Sequence, residues 1–204
     1  MNYKTIEYLT KELKINKALI DLCIEVEKEI ADQFAKIDEV REFNQYKVLG
    51  AMQKNRLSDT HFNYSTGYGY GDIGRENVDR IYADIFKAED ALVRPHIVSG
   101  THALSLCFYG ILRPGDDLLA ITGEPYDTLH NIIGIDNSPS GSLKDFGINY
   151  KQVDLTNIGK IDYVQASKEI NNKTKLVLIQ RSTGYSWRPS LTLEDIREAI
   201  SFVK

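Results

Sequence analysis

Apolar side chains in the first part of the chain recur every three or four positions, with charged residues between them. This is the period of an amphipathic helix, and it predicts one long helix over residues 16–45. A second helix is predicted at about 46–55. We expect the apolar stripe of the long helix to be ordinary packing surface; it consists of Leu19, Leu22, Cys23, Val26, Ile30, Phe34, Ile37 and Val40.

Glycine interrupts this helical pattern at residues 65–74, STGYGYGDIG. So many glycines in so short a stretch do not form a stable helix, and the segment is predicted to be a loop. Helical spacing returns from Arg75, which predicts a further helix there.

From residue 91 short apolar runs alternate with amphipathic segments. Strands are predicted within ALVRPHIV (91–98), RPGDDLLAIT (113–122), INYKQVDL (148–155) and TKLVLIQ (174–180). Helices are predicted up to Leu112, in TLHNIIG and IDYVQASKEI, and after a cap at Ser190 or Thr192. This alternation predicts a three-layer α/β/α fold around a largely parallel sheet.

Three polar segments follow predicted strands, where ligands of parallel sheets collect. Ser99, Gly100 and Thr101 either cap a helix or bind an anion through the free amides of its first turn. Tyr126 either stacks on a flat ligand or is a half-buried loop residue. Arg181, Ser182, Tyr185 and Arg188 suit a carboxylate or phosphate, or form a polar loop in which Arg188 pairs with a surface acid.

Composition narrows the partners. The chain has 204 residues and a net charge of −4, and its basic residues are interleaved with acidic ones, so nucleic acid is not expected. Its longest apolar stretch, 103–112, is too short for a membrane span, and its charged N-terminus lacks a signal core. We therefore expect a cytoplasmic protein. Cys23 and Cys107 are predicted to be buried, reduced thiols, and the histidines lack metal-ligand spacing.

Five segments, in order, resemble one family. These are STGYGYGDIGR, AEDALVRPHIVSGTHAL, LRPGDDLLAITGEPYDTL, GSLKDFGINY and LVLIQRSTGYSWRPSLTLEDI. They are similar to the methionine gamma-lyase family proteins, also called aluminium-resistance or cystathionine beta-lyase-like proteins, of the pyridoxal-phosphate fold type I superfamily. The resemblance implies an N-terminal helical segment over 1–56. Residues 57–204 would be the first part of an aminotransferase-like large domain.

The resemblance also implies pyridoxal 5′-phosphate as the cofactor. Ser99, Gly100 and Thr101 match the phosphate-binding turn of the family, and Tyr126 matches the ring that stacks on the pyridine. The loop containing Ser182 falls where related enzymes contact the cofactor's ring oxygen or the substrate.

Two further cofactor contacts are implied across a subunit boundary. In related enzymes a tyrosine and an arginine two positions later reach the phosphate of the neighbouring subunit. Tyr70 has the spacing of that tyrosine, but Asp72 stands where the arginine is expected, so Arg75 is the candidate for the charge. Sites shared in this way imply a homo-oligomer, a dimer or a tetramer.

The resemblance places the Schiff-base lysine and the acid on the pyridine nitrogen later than the segments matched here. Lys144, in GSLKDFG, is rejected as that lysine because the family has this segment in addition to its cofactor lysine. We therefore expect these residues alone to be an incomplete and inactive part of a lyase. The resemblance also implies a seven-stranded sheet of which this chain supplies four strands, and the exposed strand edges and apolar faces predict poor solubility. The full family would eliminate a thiol from an amino acid such as methionine or cystathionine. The alternatives are an inactive truncated paralogue and a stand-alone nucleotide- or flavin-binding module.

Overall fold

The computed structural model describes residues 1–66, 68, 70–136 and 140–204. Part of the predicted glycine loop, Gly67 and Gly69, lies outside the described residues. The chain forms two compact units, Met1–Arg94 and Pro95–Lys204, and each is described by itself. The domain boundary expected between residues 56 and 57 rests on the resemblance and stays a prediction.

The first unit is helical. Its helices are α1 (Tyr3–Lys11), α2 (Lys17–Glu29), α3 (Ala31–Lys54) and α4 (Ile73–Phe86), with a short 3-10 helix at Asp59–Phe62. The prediction of one helix over 16–45 is wrong, because the helix breaks at Ile30, whose backbone has φ −97° and ψ 5°. The apolar spacing continues across Ile30, so the pattern contained no sign of the break. The helix predicted at 46–55 is the end of α3.

The apolar stripe of α2 and α3 is exposed, contrary to the prediction that it packs. The exposed fraction of its large side chains ranges from 38% for Ile30 to 62% for Val40. The helices instead bury positions off the stripe, such as Ile20 and Ala51. The prediction of buried thiols is also wrong, because Cys23 and Cys107 are both exposed; neither forms a disulfide.

The segment predicted as a strand at 91–98 is not one. The Val93 N–H donates to a carboxylate oxygen of Asp79 at 2.8 Å, and the Arg94 guanidinium binds both oxygens of that carboxylate at 2.7 Å. Pro95 has no N–H to give to a strand ladder. The Asp79 side chain of α4, and not a neighbouring strand, therefore holds residues 93 and 94.

The second unit follows the predicted alternation. It contains α5 (Gly100–Ile111), β1 (Asp117–Ala120), α6 (Asp127–Ile133), β2 (Asn149–Gln152), α7 (Tyr163–Glu169), β3 (Thr174–Leu178) and α8 (Leu193–Val203). The strands form a parallel sheet in the order β2-β1-β3, with Leu118 beside Tyr150 on one side and Leu176 on the other. Of the two predicted caps of α8, Thr192 is the one used.

Helices cover both faces of this sheet. On one face Leu118 of β1 packs with Phe108 of α5 and Leu129 of α6. On the other face Leu119 packs with Ala166 of α7 and Ala199 of α8. Successive residues of a strand point to opposite faces, and all of β1 is buried. The predicted three-layer arrangement is therefore present in this unit, and no helix among the described residues is long and apolar enough to cross a membrane.

Candidate cofactor site

The carboxyl edge of the sheet brings together the polar segments that follow β1, β2 and β3. The Gly123 N–H donates to the Val153 carbonyl at 2.9 Å, which joins the ends of β1 and β2. The Gln180 N–H donates to Thr122 Oγ1 at 2.9 Å, which joins the ends of β1 and β3. The residues after these strands thus start from a shared, hydrogen-bonded edge.

The connectivity of α5 directs its first turn toward the same edge. This helix packs on α6 and β3 and leads through residues 112–116 into the amino end of β1, so it runs against the direction of the strands. Ser99 Oγ accepts the His102 N–H at 3.1 Å, and the Ser99 carbonyl accepts the Ala103 N–H at 3.0 Å. The amides of Gly100 and Thr101 have no acceptor among the described residues.

Ser99 can therefore serve both of the roles that the sequence left open. As a cap, its oxygen accepts one amide, but its own O–H proton stays available for donation to a ligand. Together with the free amides of Gly100 and Thr101 and the positive end of the helix dipole, it can bind an anion. His102 Nδ1 accepts the Val98 N–H at 3.4 Å, which makes this ring part of the turn.

Tyr126 stands directly before α6 and is half-buried. Its N–H donates to Gln180 Oε1 at 2.9 Å, and its hydroxyl lies 2.5 Å from Ser182 Oγ. Tyr126 and Ser182, predicted from separate segments, are thus in direct contact. A half-buried ring whose backbone and hydroxyl are both hydrogen-bonded offers a flat surface to a planar ligand.

His130 holds the turn that presents Tyr126. Its Nε2 lies 3.2 Å from the Pro125 carbonyl and 3.1 Å from Glu124 Oε1, and its Nδ1 lies 3.2 Å from Asp136 Oδ2. This histidine, from the next turn of α6, therefore links both ends of the helix to the strand end.

In the loop over residues 180–188, the Arg188 side chain donates its hydrogen bonds to nearby backbone carbonyls. Arg188 Nη2 donates to the carbonyls of Gln180 at 3.4 Å and Ser182 at 3.1 Å, and Nη1 donates to the Pro189 carbonyl at 3.2 Å. Among the described residues Arg188 pairs with backbone carbonyls and not with a surface acid, so that alternative is wrong, whereas its suitability for an anion stays a prediction. Arg181 is exposed.

Sequence reasoning included Gln180 and Gly184 only as members of the polar segment after β3 and assigned neither of them a role. Gln180 receives the Tyr126 amide, and Gly184 lies against the Tyr126 ring. The glutamine stands at a strand end, which is a weak signal, but no spacing in the sequence connects residues so far apart in the chain.

Tyr70 and Arg75 belong to the first unit. Tyr70 is 93% exposed, and Arg75 is half-buried and forms no ion pair within the described ranges. Asp72 caps α4 by accepting the Arg75 N–H at 3.0 Å and also accepts the Ser65 hydroxyl at 2.6 Å. Those two hydrogen bonds, the serine's first, lower the pKa of Asp72. Asp72 thus serves as the cap of α4, a role that an acid fills and the expected arginine would not.

The opposite, amino edge of the sheet is structural. Asp117 is buried and accepts Asn149 Nδ2 at 2.9 Å and Asn171 Nδ2 at 3.1 Å, with Lys151 Nζ at 3.2 Å. Burial raises the pKa of this carboxyl, but these donors outweigh it and the net shift is downward. Lys144 is exposed and precedes the start of β2 at this edge, which supports its rejection as the cofactor lysine.

Comparison with known proteins decides the family. The family model for methionine gamma-lyase matches residues 19–204. The chain belongs to the methionine gamma-lyase family. YnbB of Bacillus subtilis, an uncharacterized protein, is 54% identical over 182 residues. A crystal structure of a carbon-sulfur lyase involved in aluminum resistance from Clostridium novyi is 49% identical and superposes over 100% of this chain with a TM-score of 0.93.

A second solved structure to which this chain is similar comes from Clostridium acetobutylicum. It is named a "putative cystathionine beta-lyase involved in aluminum resistance", is 46% identical and has a TM-score of 0.93 over 100% of this chain. The chain spans 43% of YnbB and 48% to 49% of the two clostridial proteins. The resemblance recognised from the sequence is therefore confirmed at the level of the family, over less than half of the relatives' length.

Proposed function

We propose that this chain forms the first part of a pyridoxal-phosphate-dependent carbon–sulfur lyase that acts on a sulfur amino acid. Methionine and cystathionine represent the substrate class. The proposal depends chiefly on one observation: the amides of Gly100 and Thr101 have no acceptor among the described residues, and they begin a helix whose connectivity directs it toward the edge that carries Tyr126. Membership of the methionine gamma-lyase family supports the reaction class.

The donors of the α5 turn suit a phosphate ester. Two main-chain amides, the Ser99 hydroxyl and the hydroxyl of Thr101 can supply hydrogen bonds to a dianion at the positive end of a helix dipole. The net charge of the chain is −4, so the proposed phosphate binding does not depend on a general basic surface. These residues would hold the phosphate end of the cofactor.

Tyr126 would hold the ring end. Gln180 holds the backbone amide of Tyr126 and Ser182 holds its hydroxyl, so the position of the ring is set before a ligand binds. Offset stacking of aromatic rings contributes about 0.5–1.5 kcal/mol beyond the burial of area. The cofactor, when bound, supplies an electron sink for bond cleavage at the amino-acid carbon, and the protein's part here is to anchor and orient it.

The shared-site expectation remains part of the proposal. We propose that the protein is a homo-oligomer in which Tyr70 and Arg75 reach the phosphate of a neighbouring subunit. The almost complete exposure of Tyr70 suits that role. The covalent lysine and the acid for the ring nitrogen are not among the residues assigned here, so we propose no lyase activity for these 204 residues alone.

Pyridoxine 5′-phosphate tests this proposal because it has the ring and the phosphate but no aldehyde to react with surface lysines. Trp187, the chain's single tryptophan, lies in the loop after β3, and its fluorescence can report binding. We expect pyridoxine 5′-phosphate to bind far more tightly than pyridoxine. Equal affinity for the two compounds would contradict a phosphate site, and tighter binding of a flavin or adenine nucleotide would favour the module alternative.

A further inference from the structure

The loop over residues 180–188 closes on Tyr126 from a distant part of the chain. Gln180 accepts the tyrosine amide at 2.9 Å, and Ser182 Oγ lies 2.5 Å from the tyrosine hydroxyl. The ring between these two contacts faces the backbone of Gly184.

Gly184 approaches the ring so closely that a side chain has no room. A Cβ placed on Gly184 would lie 2.5 Å from Tyr126 Cε1, 3.2 Å from Cδ1 and 3.5 Å from Cζ. Gln180 holds the backbone of Tyr126 and Ser182 holds its hydroxyl, so a shift of the ring away from such a Cβ would disturb these hydrogen bonds. Its φ of +58° is also left-handed, but the close approach is the stronger constraint at this position.

Other left-handed glycines of the same unit lack this constraint. Gly115 has φ +93° and Gly141 has φ +90°, and an added Cβ would meet nothing within 4 Å at either position. Close packing against a ring is therefore particular to Gly184 among these three, and Gly115, in the turn before β1, offers a matched comparison.

The loop that supplies this contact is itself held in place. The Arg188 guanidinium binds the carbonyls of Gln180 and Ser182, and the Ser186 N–H donates to the Thr183 carbonyl at 3.0 Å. The backbone N–H of Gln180 donates to the Thr122 hydroxyl oxygen at the end of the neighbouring strand. The backbone at Gly184 is thus a supported surface against which a ring can rest.

We propose that Gly184 and Ser182 are positioning residues that set the plane and direction of the Tyr126 ring. The Gly184 backbone limits how far the ring can turn, and the Ser182 hydroxyl fixes its far end. The consequence for cofactor binding rests on the proposed function, since it requires that Tyr126 stacks on the pyridine. The positioning of the ring does not depend on that function and can be measured without any ligand.

The direct test uses the chain with ¹³C-labelled tyrosine rings. The ring signals of Tyr126 are assigned by their loss in Tyr126→Phe. Gly184→Ala is expected to shift these signals, whereas Gly115→Ala, which introduces a side chain at a more strained φ without a contact, is expected to leave them in place. Unchanged Tyr126 signals in folded Gly184→Ala would overturn the proposal.

Ser182→Ala covers the case in which Gly184→Ala does not fold, because it adds no bulk. It is expected to shift the Tyr126 signals next to the hydroxyl, and their constancy would overturn the proposal. Both variants are expected to weaken binding of pyridoxine 5′-phosphate about two- to tenfold, the range that loss of ring stacking corresponds to.

The two proposals fail in different ways. If the wild-type chain does not bind pyridoxine 5′-phosphate but the ring signals move in both variants, the positioning role stands and the cofactor function is wrong. If the wild-type chain binds the compound and the ring signals do not move, the positioning role is wrong.

Discussion

Individual polar residues of this protein serve more than one purpose, and Ser99 shows this most clearly. Its oxygen caps α5 by accepting the His102 amide, and its proton is left for a ligand. Asp72 likewise caps α4 at the position where a phosphate-binding arginine was expected. A sequence pattern identifies such residues as caps, but the capping role does not exclude a binding role.

Substitutions at Ser99 can separate these two roles. Ser99→Ala removes both the cap and the donor, so we expect a loss of about 1 kcal/mol in the free energy of unfolding and weaker binding of pyridoxine 5′-phosphate. Ser99→Asp keeps an equally good cap but adds a charge that repels phosphate. It should therefore keep the stability and lose the binding, in thermal unfolding and fluorescence titration respectively. Binding retained in Ser99→Asp would count against a phosphate at this turn.

Asp79 is the residue on which the segment before the second unit depends. Its carboxylate receives the Arg94 guanidinium and the Val93 amide, and both charged side chains are less than one-fifth exposed. Burial raises the pKa of Asp79, but the hydrogen bonds from Arg94 and Val93 outweigh it and lower the pKa.

We predict that Asp79→Asn reduces the free energy of unfolding by about 2 kcal/mol, because it leaves the Arg94 charge without its partner. Glu76→Gln on the same helix is the control, since its pair with Arg80 is exposed and contributes only a few tenths of a kcal/mol. Urea unfolding of both variants measures the difference. Equal effects would show that the Asp79–Arg94 pair has no special role.

At the scale of elements, the second unit could be predicted from its sequence and the first only in part. Strands such as β1 are short, buried and bounded by turn residues, and their helices have clear caps, so local pattern and final structure agree. The break at Ile30 and the non-strand at 91–98 depend instead on backbone geometry and on the side chain of Asp79. The local pattern of apolar residues therefore predicts neither the helix break nor the absence of a strand at 91–98.

The site shows the same division. Ser99–Thr101, Tyr126 and Ser182 stand at strand ends, where the fold rule directs attention. The contacts of Tyr126 with Gln180 and Gly184 join two loops that are remote in the sequence, and only the folded sheet brings them together.

The N-terminus of α8 allows a prediction on pH. The Asp195 carboxylate binds Lys160 Nζ at 2.7 Å and closes a capping box with Thr192, and these bonds lower its pKa to about 2. Between this pKa and the ordinary value of 3.8 the unfolded chain binds more protons than the folded chain. The stabilisation is therefore complete above about pH 4 and is lost as the pH falls to about 2.

We expect Asp195→Asn to lower the thermal midpoint at neutral pH, with the difference from wild type disappearing as the pH falls to about 2. Glu194→Gln, which changes a more exposed acid in the same turn, should have a much smaller effect. Thermal unfolding followed by circular dichroism over this pH range decides the matter. A difference that does not vary with pH would mean that the Asp195 charge is not responsible.

At the scale of the whole molecule, exposed apolar surface is the main departure from a self-sufficient protein. The stripe along α2 and α3 is solvent-exposed, and Tyr185 and Trp187 are fully exposed in the loop after β3. Monomeric proteins seldom leave such continuous apolar surface uncovered.

We therefore predict that the chain associates with itself as its concentration rises, which sedimentation velocity measures. Replacing Leu22, Val26 and Phe34 of the stripe together by glutamine should reduce this association, because it shortens the continuous apolar surface. A matched triple replacement at the exposed polar positions Glu25, Lys28 and Asp32 should not. A monomer at all concentrations, melting in one cooperative transition, would contradict the prediction.

The central claim is that the turn at Ser99–Thr101 binds the phosphate of a pyridoxal cofactor. Amide signals of the ¹⁵N-labelled chain, followed during titration with pyridoxine 5′-phosphate, test it most directly. We predict saturable shifts of the Gly100 and Thr101 amides, because these donors have no acceptor among the described residues. Shifts spread over surface lysines while both amides stay unchanged would contradict the claim.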